Sequence, residues 1–446
     1  MGPIDMNRIS AKGRIDPARI DPDAIKVIRR LRQNGYEAYL VGGSVRDLWL
    51  GRSPKDFDMA TSASPRQIKR VFSNSRLIGR RFRLAHVVYG PKIFEVSTFR
   101  SNIIASEPDD TVGDEGEERD LLIRDDNVFG TAEQDGVRRD FTINGLFYDP
   151  DSHEVIDYVE GIADLDAKLI RCIGDPEIRL REDPVRILRA IKFAARLGFT
   201  IHDDTYGAML SHRGEILRCS PARVYEEIMR LLASGASQAS LRLMWDSGVL
   251  DVLLPDLTEH LRKSELGHND PLWDYLGAID SVDRAKRQLS AGILIGAAFW
   301  PVFEDRMERP EFASLDYGLR VDRVVDSVTR NLRLPKRENA LLKQVLVARR
   351  RLRPEGGLRH HPPTANRMAG KAYFGPTLAF CEIELRAEGA GDDEIAQWEA
   401  DLLRPAAGGA PGAAQGPRAP ADGKRKRRRR RRRPGGPQTP PAPAAT

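Results

Sequence analysis

Leu40-Val41-Gly42-Gly43-Ser44-Val45-Arg46-Asp47 is followed, thirteen residues after Gly43, by Asp56-Phe57-Asp58-Met59. The first stretch reads as a strand running into a two-glycine turn and a helix that begins near Ser44. Glycines at such a turn let the backbone approach an anion, and the helix start supplies N–H donors and the positive end of its dipole. Arg46, one turn in, can reach the same anion. A plain tight turn with Arg46 on the surface accounts for the same residues. In the second stretch, side chains at i and i+2 of a strand share one face. Asp56 and Asp58 would then stand side by side, with Phe57 toward the core. Neighbouring carboxylates repel unless a cation lies between them. Two-metal enzymes hold two such cations about 3.5–4 Å apart. The competing reading is a solvated strand edge.

Further acids lie outward from this pair. Glu95 sits in Ile93-Phe94-Glu95-Val96-Ser97-Thr98-Phe99, flanked by core-type residues, so it faces a site or an edge. Asp140 sits in Arg138-Arg139-Asp140-Phe141-Thr142-Ile143-Asn144, where the arginines suit a polyphosphate or a surface ion pair. His86, in an apolar strand, reads as a core histidine. Asp183 precedes Pro184 and is placed to cap a helix running to Leu197. On that helix Arg186 and Arg189 share a face at i, i+3.

The order of elements predicts an α+β head followed by helices. Asp21, Pro22 and Gly35 bracket a first helix with Ile25, Ile28 and Leu31 as its apolar stripe. Strands are expected at 37–41, 57–59, 84–89, 93–99, 142–148 and 155–158. Helices are expected at 183–197, 221–233, 239–254, 322–331, 336–352 and 393–403. The head spans 20–172, a helical neck 173–260 and a helical body 261–405.

Charge sets off the remainder. The chain has 446 residues, with 71 Lys and Arg against 65 Asp and Glu. Eleven of the cations and one acid follow Arg404, which leaves 60 and 64, a net of −4, for the rest. Residues 406–446, rich in Ala, Gly and Pro, cannot bury a core and are expected to be a disordered tail. Its ten consecutive cations, Lys424 to Arg433, will seek polyanions, with RNA and an anionic membrane surface as candidates. The stretch Asp109 to Asp120 holds seven acids and one Arg and is expected to be a disordered loop. Three scattered cysteines, Cys172, Cys219 and Cys381, exclude a disulfide framework and a zinc cluster. The longest apolar run, 13 residues from Ala291 to Phe303, contains Pro301 and is too short to span a bilayer. A cytoplasmic protein is expected.

The glycine turn followed by the paired aspartates resembles the polymerase-β-like nucleotidyltransferase superfamily. Five motifs together, in the same order, resemble the class II tRNA nucleotidyltransferase and bacterial poly(A) polymerase family. They are Leu40–Asp47, Asp56–Met59, Arg138–Asn144, Glu182–Ala190 and Arg223-Val224-Tyr225-Glu226-Glu227. Leu77-Ile78-Gly79-Arg80-Arg81-Phe82-Arg83-Leu84-Ala85-His86-Val87 resembles the stretch that marks the poly(A) polymerase branch. Gly145 departs from the family pattern, which more often has Ala or Ser there.

The resemblance implies a mixed-sheet catalytic head, a base-reading neck and an RNA-binding body. It implies template-independent AMP transfer from ATP to RNA 3′ ends, marking RNA for decay, with RNA-degradation machinery as a candidate partner. Asp56, Asp58 and Glu95 would hold two Mg²⁺ ions, with Asp140 as a further active-site acid. Gly42, Gly43, Arg46 and Arg139 would hold triphosphate. Asp183, Arg186 and Arg189 would read the base, although cytosine offers the same donor–acceptor pair as adenine. A CCA-adding or A-adding tRNA nucleotidyltransferase and a non-catalytic RNA-binding protein are the alternative readings.

Overall fold

The computed structural model describes residues 7–79, 84–101, 128–330, 332–353, 365 and 367–403. The acidic stretch, the basic tail and the Arg80–Arg83 part of the branch-marking stretch lie outside the described residues.

Eight strands form one sheet. They are β1 (Arg8–Ser10), β2 (Ala38–Val41), β3 (Met59–Thr61), β4 (Ser75–Ile78), β5 (Leu84–Tyr89), β6 (Lys92–Thr98), β7 (Leu146–Asp149) and β8 (Glu154–Asp157). Their order is β1-β8-β7-β2-β3-β6-β5-β4, with β3 and β6 parallel and every other neighbour antiparallel. One face carries the main core. Val27, Ile28 and Leu31 of the Pro22–Gln33 helix pack there with Leu40, Met59, Val87 and Val96. Asp21 caps that helix through the Asp23 amide at 2.9 Å. Its buried stripe is Ala24, Val27, Ile28 and Leu31, with Ile25 only half-buried. The opposite face has a smaller cluster, with Tyr39, Val41, Ala60, Phe99 and Phe147.

Three expectations change. The second aspartate segment is not itself a strand, because β3 begins at Met59. Residues 142–144 form a 3-10 turn before β7. The expected helix 239–254 is two helices, Ser237–Asp246 and Val249–Leu253, separated at Gly248, whose φ of 68° is left-handed. Strands β1 and β4 are too short and irregular in pattern to stand out in the sequence.

Among the described residues beyond Pro176 the elements are helices apart from the two-residue strand Thr200–Ile201, which pairs with Leu169–Ile170. The Val185–Leu197 helix buries Ile187, Leu188 and Ile191 and packs on the Pro221–Leu232 and Ser237–Asp246 helices. Farther on, the Leu272–Ser281 and Lys336–Leu352 helices pack on Phe374–Ala387. There the buried Glu384 accepts from Arg349 Nε at 2.5 Å, yet burial outweighs its arginines and pushes its carboxyl up to about 7.

Candidate active site

β2 ends at Gly42, whose φ of 66° and ψ of −127° precede the Gly43–Trp49 helix. A Cβ there would lie 3.0 Å from Arg139 Nη1. Glycine therefore serves twice, in adopting the turn and in admitting the Arg139 guanidinium beside it.

Arg46 goes elsewhere. It is buried, with Nε and Nη2 on Asp47 Oδ1 at 2.9 and 2.8 Å and Nη1 on Asn144 Oδ1 at 2.6 Å. Its guanidinium also lies over the Phe193 ring. In place of the expected direct reach to an anion, these contacts turn the Arg46 guanidinium inward as a strut beneath the turn, with three of its five N–H donors engaged.

Asp56 and Asp58 precede β3 outside any regular element, and the Asp58 carbonyl accepts from Val41 N at 3.0 Å. The parallel register Met59↔Val96 sets Asp58 level with Glu95 on the same face. Neither carboxylate makes a hydrogen bond or ion pair among the described residues. Asp58 is reached by solvent but crowded by protein. That loss of water, then Glu95 and Asp56, push its carboxyl up to about 6 against the pull of Arg139. Glu95 has a partner the sequence did not suggest. His86 lies opposite it across β5 and β6, with Nε2 at 3.3 Å from Glu95 Oε1. The histidine expected in the core therefore stands on the site face.

Among the described residues no three His, Cys, Asp or Glu side chains are gathered closely enough to hold one ion. Magnesium usually binds through one or two carboxylates together with water and substrate phosphates. The unpaired Asp56 and Asp58 carboxylates fit that donor set; Glu95 is turned to His86.

Asp140 is buried and fully engaged. Oδ1 accepts from the Phe141 amide and Asn144 Nδ2 at 2.8 and 3.1 Å, and Oδ2 accepts from Arg189 Nε at 2.6 Å. Burial alone would raise its carboxyl, but Arg189, Asn144 and the Phe141 amide hold it down at about 2. Arg189 thus faces Asp140, with Glu227 3.8 Å away on the other side. Arg139 donates to Asp135 Oδ2 at 2.8 Å, and Arg138 to Asp135 Oδ1 at 3.1 Å. The sequence reading missed Asp135. Its position three and four residues before the arginine pair, on one helix turn, was the available signal. It also missed Arg179, which donates to the Arg138 and Arg139 carbonyls at 2.5 and 2.8 Å. Nothing in the local pattern marks that residue.

Asp183 does not cap the following helix. That helix starts at Val185 without a side-chain cap, and Asp183 closes the preceding Pro176–Glu182 helix instead. Its Oδ2 accepts from Arg223 Nη2 at 2.8 Å, while the buried Oδ1 has no hydrogen-bond partner among the described residues. Arg186 donates to the Arg179 carbonyl at 2.6 Å and to Glu182 at 3.4 Å rather than to Asp183.

The mixed sheet, the glycine turn and the acids beside it define a nucleotidyltransferase fold, and known proteins agree. Residues 38–171 match the poly A polymerase head domain, and residues 198–261 match a probable RNA and SrmB-binding site of polymerase A. Poly(A) polymerase I of Salmonella typhimurium is 38% identical, over 86% of this chain and 82% of that protein. A CCA-adding enzyme of Lactobacillus gasseri is 35% identical, over 51% of this chain and 54% of that protein. The crystal structure of the Bacillus stearothermophilus CCA-adding enzyme in complex with CTP shares the fold. Its TM-score is 0.61 at 25% identity, over 86% of this chain and 82% of that one. The chain belongs to the poly(A) polymerase I family.

Proposed function

We propose that this protein adds AMP from ATP to RNA 3′ ends without a template. The observation that carries the reading is the unpaired Asp56–Asp58 pair beside the Gly42–Arg139 turn. The RNA 3′-hydroxyl attacks the α-phosphorus of ATP. A new P–O bond forms to RNA, the bond to the β-phosphate oxygen breaks, and pyrophosphate leaves. Asp56 and Asp58 would hold Mg²⁺, with Glu95 joining when it releases His86. When bound, magnesium supplies activation of the hydroxyl and charge neutralisation at the leaving oxygens. The Gly42–Gly43 backbone and Arg139 would bind triphosphate. Asp183, whose Oδ2 is held by Arg223, would accept from the adenine amino group through Oδ1. Arg186 would donate to the ring nitrogen with the N–H groups not spent on Arg179 and Glu182. Arg46, Asp140 and Arg189 position these groups from behind. Marking RNA for decay and a cytoplasmic location belong to the same reading. Among the described residues no helix is long and apolar enough to cross a membrane.

CCA addition is the second reading, favoured by the likeness to the CTP-bound structure. Primer extension on a short non-tRNA RNA, with Mg²⁺ and each nucleotide supplied separately, tests both. A long ladder with ATP alone is expected. Addition of C and then A to tRNA ends only, with an abrupt stop, would replace the proposal. Binding without any product would favour the non-catalytic reading.

A further inference from the structure

The helical part holds a groove that the site above does not use. It lies between Ala233, the segment 284–290 and the first turn of the Phe374–Ala387 helix, where Gly375 and Pro376 line it. Its cations are Arg284, Lys286 and Arg287, and no carboxylate is among its lining residues. Arg287 is neutralised from behind by Glu382 and Glu399, at 3.0 and 2.5 Å. Arg284 spends one N–H on the Ile279 carbonyl. The exposed Lys286 ammonium has no hydrogen bond or ion pair among the described residues. Ser290, also on the groove, stands at the N-cap of the Ala291–Ala298 helix, where its carbonyl accepts from Leu294 N at 3.0 Å and its buried hydroxyl makes no hydrogen bond among the described residues. Lys286, together with the Arg284 N–H groups not spent on Ile279, places cationic donors in one open concavity that no lining carboxylate answers.

The position of the groove identifies the acceptor. The Pro221–Leu232 helix carries Arg223, bound to Asp183, near its start, and Ala233 borders the groove just past its end. At 1.5 Å per residue the groove lies about 15 Å along this helix from the base-reading pair. A strand whose 3′ end is being extended presents a phosphate at every nucleotide, and single-strand sites run to several nucleotides. We propose that the Arg284–Lys286 groove binds the RNA phosphodiester backbone a few nucleotides upstream of the 3′ end. This rests on the RNA-adenylating reading above.

The test uses the full chain, an oligoadenylate of about 15 nucleotides and a trinucleotide too short to reach the groove. Affinity is read by fluorescence anisotropy across a KCl series, beside AMP incorporation by the wild type. The variants are Lys286→Glu and Gly375→Glu. Gly375 has open space where a Cβ would sit, and a glutamate in a first helical turn favours the helix. A folding defect therefore cannot explain a loss in that variant, and its thermal midpoint is expected to hold or rise. Each variant should bind the long oligomer about tenfold more weakly, with the salt slope reduced by about 0.7 for each phosphate that is no longer neutralised. The trinucleotide should lose no affinity. Unchanged affinity and slope for the long oligomer in both variants, with an active wild type, would overturn the groove alone. A wild type that adds no AMP would overturn the adenylating reading and the groove with it.

Discussion

Gly145 shows at one residue how neighbours fix a choice that local sequence leaves open. Any small residue satisfies the turn before β7, but a Cβ here would fall 2.5 Å from Val159 Cγ2 and 3.3 Å from Ile173 Cδ1. Gly145→Ala is expected to cost about 1–3 kcal/mol by overpacking. Adding Val159→Ala should recover most of the loss, which a urea double-mutant cycle measures. Asp58 is the opposite case, a group whose charged form costs stability. Its carboxyl titrates near 6 in the fold, above the ordinary 3.8. Without metal, the stability of its protonated form is full below about pH 4 and is lost as pH rises through about 6. Asp58→Asn should abolish AMP addition and leave RNA binding nearly intact. Its thermal midpoint should exceed that of the wild type at pH 8 and match it near pH 4. A lower midpoint at pH 8 would refute the crowding account.

At the scale of elements, the site is assembled by helices that do not carry its acids. The Val185–Leu197 helix sends Arg189 to Asp140 and Arg196 to Asp47 at 3.6 Å. The Pro176–Glu182 helix sends Arg179 to the backbone of the Arg138–Arg139 pair. Removing one partner of a buried ion pair leaves the other without compensation, at about 3–5 kcal/mol in the general case. Arg189 is partly exposed and keeps Glu227 nearby. Asp140→Asn should therefore cost somewhat less, about 2–3 kcal/mol in urea unfolding. The native Asp140 carboxyl is depressed to about 2. The wild-type advantage should thus be constant from pH 8 to about pH 4 and fade only as pH drops toward 2. An advantage already lost at pH 5 would show that Arg189 is not the partner that matters.

Across the whole molecule, charge and fold are divided. Residues 7–403 contain both sides of the sheet core and the helical core, while the cationic excess lies after Arg404. Ending the chain at Arg404 should leave thermal unfolding unchanged, since a tail this rich in Ala, Gly, Pro and Arg has little apolar side chain to add to a core. It should weaken RNA binding at low salt and flatten the salt dependence, because fewer counterions are released. An unchanged salt slope would assign RNA binding to the folded part alone.

Local chemistry made much of this legible in the sequence. The Pro22–Gln33 helix is written in its cap and stripe, β5 and the Lys336–Leu352 helix in their apolar spacing, and the acids beside the glycine turn in motif order. These signals depend on residues a few positions apart, where periodicity and capping act. What each charged side chain touches was decided in three dimensions. Arg46 turns inward to Asn144, 98 positions away; His86 meets Glu95 across β5 and β6; Asp183 is held by Arg223, 40 positions on. A guanidinium or carboxylate takes whichever counter-charge packing brings within about 3 Å, and local sequence carries no record of that distance.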